Sequence, residues 1–343
     1  MTDLPTLRRE VMPEVIANIF GSDWHIRHIA HAVIRYKIGH TCIVQVRLQL
    51  QHGSTGKKQS AVLYGKTYDN EDGAETYRNM CRLWEGEAST RGQLVIAQPV
   101  AYQAESKSLW VTALAGKPLS AYTMTQPKFL ALLEQAAVTV SALHQSPVSC
   151  SGTITTTGLV AALQDAETTI GRAIPSFSDA LQRIVSNLSL QSQRFGARPL
   201  ATLHHDLHLK NMYVRSGKVA LIDLDNLCLG DPLYDIGRFI ASIHTCGLVQ
   251  NVPERRVKQI NDVFVCAYRS NVPWDVPQQL VDWHVTAALI VKNAMRCAKR
   301  LQSGLLGDLA DLIERASESR RCGNGWTESC HRTNDVPNSQ AAL

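Results

Sequence analysis

The sequence predicts an α+β chain of two unequal lobes. A small antiparallel β-rich lobe occupies residues 1–113, a larger and mainly helical lobe occupies 114–321, and 322–343 is expected to be a disordered tail. Three observations predict this. β-Branched and aromatic runs crowd the first third and are joined by short polar or glycine-containing turns. From Gly116 onward apolar residues recur at helical spacing. The helical half is interrupted once, over residues 203–239 (LHHDLHLKNMYVRSGKVALIDLDNLCLGDPLYDIGRF), where acids and an amide stand at fixed intervals beside short β-type runs.

Taken in order, residues 3–20 carry Leu7, Val11, Val15 and Ile19 at four-residue intervals, the pattern of a short amphipathic helix. Strands are expected over 28–37 and 42–50, with a turn at Ile38-Gly39-His40-Thr41, and over 60–68 after a polar loop. A helix over 72–85 places Ala74, Tyr77, Cys81 and Trp84 on one face. Two further strands, 94–103 and 108–115, complete a five-stranded lobe. Gly116-Lys117-Pro118 breaks the pattern and marks a hinge near 111–117. Pro127 is suited to open a helix bearing Leu130, Leu133, Ala137, Val140 and Leu143. Helical patterns follow at 157–173, 178–195, 234–246, 254–270, 278–301 and 308–319. The polar residues from about 321 lack periodicity.

Composition narrows the function classes. The chain has 343 residues, 45% hydrophobic and 19% charged, enough for a sizeable core. A net charge of +5 is dispersed rather than gathered in runs, so nucleic acid is not an expected partner. No apolar run approaches the ~20 residues that span a bilayer, so no membrane partner is expected. The N-terminal MTDLPTLRREVMPEV has no apolar signal core. Nine cysteines without a CxxC pair are expected to be reduced thiols, and the expected location is the cytoplasm.

The chemistry concentrates in 203–239. Asp206 and Asn211 lie five residues apart on one loop, and the short hairpin that follows returns Asp223 beside them. Phosphoryl transfer from ATP needs positioning and charge neutralisation more than covalent chemistry. Asp206 is expected to orient an acceptor hydroxyl and take its proton. Asn211 and Asp223 are expected to hold Mg²⁺ between the phosphates. Asp225 is either a second metal contact or a loop acceptor. Asp231 and Asp235 are expected to cap and anchor the next helix, and His204 to brace the loop. A zinc site from His204, His205 and His208 is disfavoured, because HHDLH lies between strands and lacks helical i, i+4 geometry.

The block HHDLHLKN…LIDLDN…GDPLYDIGRF, in this order of lobes, resembles the aminoglycoside phosphotransferase and choline kinase-like group, relatives of the protein kinases. The resemblance covers about 28–301. It implies a bilobal protein kinase-like fold and an ATP-anchoring lysine on the third strand, where Lys66 stands. It implies an acid on the next helix paired with that lysine, Glu75 or alternatively Glu71. Backbone groups of the hinge, at Val111 and Ala113, would meet adenine. His144 stands where the group often has a structural histidine. The nucleotide loop YKIGHTC has a single glycine, HHD stands for the more usual HGD, and Lys210 occupies a position where glycine is common.

The acceptor region carries its own signal. Residues 236–301 hold nine basic side chains (Arg238, Arg255, Arg256, Lys258, Arg269, Lys292, Arg296, Lys299, Arg300) against four acids (Glu254, Asp262, Asp275, Asp282). That balance disfavours polycationic aminoglycosides and suits a neutral or anionic hydroxylated small molecule, such as a sugar or sugar phosphate. The alternatives are an aminoglycoside kinase and a catalytically silent kinase-like binding or regulatory protein.

Overall fold

A computed structural model describes residues 11–321. Residues 3–10 of the first expected helix and the tail from 322 fall outside the described residues. The chain opens on α1 (Val11–Phe20), then β1 (Trp24–Lys37), β2 (Thr41–His52), β3 (Lys58–Tyr68), α2 (Asp72–Glu85), the one-turn α3 (Glu87–Thr90), β4 (Pro99–Gln103) and β5 (Ser108–Thr112). The five strands form one sheet in the order β1-β2-β3-β5-β4, every pair antiparallel. Alternation sets its faces. Cys42, Val44, Val46, Leu48 and Leu50 of β2 are buried together with Leu63, Trp110 and the Met12, Val15 and Ile16 face of α1. The same period of two puts Lys66 on the face of β3 opposite Leu63.

Two expectations in this lobe need correction. Helix α2 has the expected bounds but buries Thr76, Asn79, Met80 and Leu83, while Trp84 is 40% exposed. The helix is turned because Gly73 seats against the rings of Tyr68 and Tyr102, which admits the Met80 and Leu83 side to the core. The strand expected from residue 94 joins the sheet only at Pro99. Before it, Ile96 forms a lone parallel bridge to Leu221, and the Leu221 amide donates to the Val95 carbonyl at 2.9 Å. That stretch therefore serves the second lobe rather than the sheet.

The second lobe comprises β6 (Lys117–Pro118), α4 (Lys128–His144), α5 (Thr156–Ala173), α6 (Ser178–Ser192), β7 (Ala201–Leu203), β8 (Met212–Arg215), β9 (Lys218–Leu221), β10 (Cys228–Gly230), α7 (Leu233–Val249), α8 (Glu254–Arg269), α9 (Gln278–Ala288), α10 (Met295–Lys299) and α11 (Ser303–Arg321). Pro127 precedes α4, whose Phe129, Leu133, Ala136, Ala137, Val140 and Leu143 are fully buried. The connection between lobes passes Gly116 at φ +125°, where a β-carbon would lie 2.3 Å from the Val214 carbonyl oxygen. Only glycine fits there.

Helix α7 runs close against α9. A β-carbon on Gly237 would stand 2.5–2.6 Å from the backbone and Cβ of His284. The continuous helix expected over 278–301 is interrupted by a π-helical turn at Leu289–Ala294. No residue signals it. It is fixed by packing, since the Asn293 side-chain amide donates to the Ala241 carbonyl at 3.0 Å and to the Thr245 hydroxyl of α7. Among the described cysteines, Cys42, Cys81, Cys150, Cys228, Cys246 and Cys297 are free thiols.

Candidate active site

Strand β7 pairs with β10 in the middle of the helical lobe and delivers the chain to His204, His205 and Asp206. His205 adopts φ +64°, a left-handed conformation that costs an ordinary residue roughly 1–2 kcal/mol. The turn is held by Asp235. This fully buried carboxylate accepts the His204 amide on one oxygen at 2.6 Å and the His205 amide on the other at 3.0 Å. Burial pushes the Asp235 pKa up, but the hydrogen bond and charge of His144 and the His204 amide outweigh it, so the group lies below the usual carboxylate range. His144 contacts Asp235 through Nε2 at 3.3 Å and the Tyr268 hydroxyl through Nδ1 at 2.8 Å. Asp235 thus braces the loop rather than capping α7. Asp231, just before the helix, accepts the Leu233 amide at 2.9 Å and the Arg198 Nε at 2.9 Å.

His204 ties the two loops together. Its Nε2 donates to the Ile222 carbonyl at 2.9 Å, and the Ile222 amide donates to the Asn211 carbonyl at 3.0 Å. The β8–β9 hairpin pairs Met212 with Leu221, so Asn211 and Asp223 emerge side by side from adjacent strands. Asn211 is buried, and its side-chain nitrogen donates to the Asp206 carbonyl at 3.0 Å, leaving the amide oxygen as the free acceptor end. Asp223 itself is left-handed, φ +61° and ψ +55°.

From the β lobe, Lys66 crosses to this loop although 157 residues separate it from Asp223 in sequence. Its ammonium lies 3.1 Å from Asp223 Oδ1 and also contacts Asp225, which accepts the Tyr68 hydroxyl at 2.6 Å. Two carboxylates therefore converge on one small cation. Among the described residues there is no cluster of three or more His, Cys, Asp or Glu arranged for a metal. A pair of carboxylates with one amide oxygen is instead the donor set of a Mg²⁺ site completed by phosphates.

Asp206 is paired with Arg238 of α7, and His208 Nε2 stands 3.6 Å from its other oxygen. Burial raises the Asp206 pKa, but the His208 hydrogen bond and the Arg238 charge more than offset this and hold the carboxyl far below its ordinary range. It is ionised throughout the physiological range.

Lys66, Asp206, Asn211 and Asp223 thus meet in one place, with Asp225 beside them. Glu75 does not join them. Its carboxylate accepts the Ser151 amide at 2.9 Å, because the rotation of α2 carries it toward the helical lobe. Glu71 is likewise absent, held by Tyr102 at 3.2 Å and Lys107 at 3.3 Å. Lys66 therefore has the loop acids as its partners. At the hinge, Val111 is paired within the sheet and the Ala113 amide donates to the Val62 carbonyl at 2.9 Å. That donor is committed to the sheet, leaving the Ala113 carbonyl as its available backbone group. In the sequence Arg238 is only one basic charge among nine. Its position one turn after Asp235 in YDIGRF is the signal that would have found it.

The sequence matches the phosphotransferase enzyme family over residues 80–253, just over half of the chain. No curated protein matches it in sequence. The structure is similar to a thermostable form of the aminoglycoside phosphotransferase APH(4)-Ia in its apo state, with a TM-score of 0.57 and 13% identity, covering 90% of this chain and 99% of that one. A variant of that protein in ternary complex with AMP-PNP and hygromycin B gives 0.55 and 14%, covering 89% and 98%. Choline kinase from Cryptosporidium parvum gives 0.59 and 11%, covering 92% and 97%. At such identities the likeness is one of fold, the bilobal protein kinase-like arrangement that the order of lobes implied.

Proposed function

Given that this chain belongs to the phosphotransferase enzyme family, we propose that it transfers the γ-phosphate of ATP, with Mg²⁺, to a hydroxyl of a small molecule. The observation that carries this reading is the Lys66 ammonium lodged on Asp223 and Asp225, next to the Asp206–Asn211 loop. This supports reading Lys66 as the phosphate-binding cation, Asp223 and Asp225 as the metal-binding acids and Asp206 as the acceptor-facing carboxylate.

The chain's own residues divide the work. Lys66 leaves the acids for the nucleotide phosphates when these arrive, and at the hinge the Ala113 carbonyl is the backbone group left to meet the base. Asp223, Asn211 and Asp225 would hold the metal. Mg²⁺, when bound, would supply charge neutralisation for the phosphates in the transition state. Asp206 accepts a hydrogen bond from the acceptor hydroxyl and takes its proton as the oxygen–phosphorus bond forms and the bond to the ADP leaving group breaks. Its depressed pKa makes it a weak base at rest, which suits a loose transition state in which orientation matters more than proton abstraction.

The test is Mg²⁺-dependent ADP release over a panel of sugars, sugar phosphates, amino alcohols and aminoglycosides, with Asp206→Asn as the blank. Turnover with an acceptor is expected to fall at least ~100-fold in Asp206→Asn while the fold is retained. No turnover with any acceptor, together with no thermal shift on adding Mg·ATP, would replace this reading by that of a silent kinase-like binding protein.

A further inference from the structure

Tyr68 stands two residues beyond Lys66 at the end of β3, and the period of two puts both on one face of the sheet. It is 8% exposed. The ring is wedged against α2, since a β-carbon on Gly73 would stand 2.6–2.7 Å from two of its atoms. Its hydroxyl reaches the other lobe and donates to Asp225 Oδ1 at 2.6 Å, between residues 157 apart in sequence. Burial, then the Asp223 charge, pushes the Tyr68 pKa up, so the phenol keeps its proton and stays a donor.

The acceptor of that bond sits in a single 3-10 turn, Leu224–Asn226, and its side chain is 17% exposed. Its two oxygens are held differently. Oδ2 meets the Lys66 ammonium, carried on a flexible stem that can follow a phosphate. Oδ1 meets a hydroxyl on a ring seated between β3 and α2, which cannot. When Lys66 departs, Oδ2 is open while Oδ1 is still held. Carboxylates that bind metals are themselves oriented by hydrogen bonds of this kind, and losing one costs about 10–100-fold in metal affinity.

We propose that Tyr68 is a positioning residue for the metal, its hydroxyl holding Asp225 Oδ1 so that Oδ2 is turned to Mg²⁺ beside Asp223. This rests on the phosphotransferase reading above. Tyr68 touches neither metal nor nucleotide and acts through Asp225 alone. Its hydroxyl comes from the β lobe and its acceptor from the helical lobe, so the bond holds only while the lobes are apposed. The same hydroxyl thus makes metal affinity depend on the closure of the two lobes.

The full-length protein is titrated with AMP-PNP in a calorimeter, once with excess Mg²⁺ and once with EDTA. The gain in affinity on adding Mg²⁺ reads the hold on the metal. Tyr68→Phe, which keeps the ring, is expected to cut that gain at least about tenfold and to leave metal-free binding unchanged. In an Asp225→Ala background the same substitution is expected to cost nothing more. Tyr102→Phe removes a hydroxyl held 3.2 Å from Glu71, away from the site, and is expected to keep the full gain. A merely structural role for Tyr68 would weaken binding equally with and without metal. That result, a wild-type gain in Tyr68→Phe or in Asp225→Ala, or a further tenfold loss in the double variant, overturns this inference alone. Failure of the wild type to bind AMP-PNP under either condition overturns the phosphotransferase reading and this inference with it.

Discussion

Replacing Asp235 by asparagine takes one oxygen from a buried carboxylate that serves two backbone donors on separate atoms, the His204 amide at 2.6 Å and the His205 amide at 3.0 Å. Whichever way the new amide is turned, its NH₂ faces one of those N–H groups. One buried donor is left without an acceptor, at about 1–3 kcal/mol. The surviving bond loses its charge assistance, roughly halving its strength, for about 1 kcal/mol more. The total is about 2–4 kcal/mol, or a fall in Tm of roughly 5–15 °C at the ~2–4 °C per kcal/mol of a large domain. Urea and thermal unfolding measure it. Turnover is expected to fall as well, because this clamp holds the His205 amide at φ +64° and Asp206 follows it directly. An Asp235→Asn protein within about 0.5 kcal/mol of wild type would refute the clamp.

Two further perturbations bear on stability. Gly237→Ala forces a β-carbon to 2.5–2.6 Å from His284, so α7 and α9 must part, at about 1–3 kcal/mol in thermal unfolding; an unshifted Tm would contradict that packing. Burial pushes His205 down to about 4 and His244 to about 3, so both rings stay neutral in the fold below pH 6.5 while the unfolded chain takes up protons. Their contribution to stability is complete above pH 6.5 and declines as pH falls from there toward 4. An unfolding midpoint constant from pH 7 to 4.5 would be inconsistent with it.

What could be read from the residues, and what could not, has a physical basis. Strands β1, β2 and β3 were legible because period-two alternation and β-branched runs are local properties. The Asp206, Asn211 and Asp223 constellation was legible because a hairpin fixes the spacing of its ends, and β8 and β9 are that hairpin. The face of α2 was not, since Ala74-Tyr77-Cys81-Trp84 and Thr76-Met80-Leu83 are both apolar enough, and Gly73 against Tyr68 decides between them. With that rotation went the expected Lys66–Glu75 pair. The π turn that places Lys292 depends on Asn293 reaching α7, a contact between residues 52 apart in sequence. From its place after Gly-Asp-Pro alone, Asp235 is a helix anchor. Its service to the His204 and His205 amides depends on β7 lying beside the start of α7, which spacing does not reveal.

The most direct measurement is calorimetric binding of Mg·AMP-PNP to the wild type and to Asp223→Ala. The wild type is expected to bind, and Asp223→Ala, which removes one of the two carboxylates converging on Lys66, to lose at least ~100-fold in affinity. Equal binding by the two proteins would mean that Asp223 holds no metal and that phosphoryl transfer is not organised on this loop.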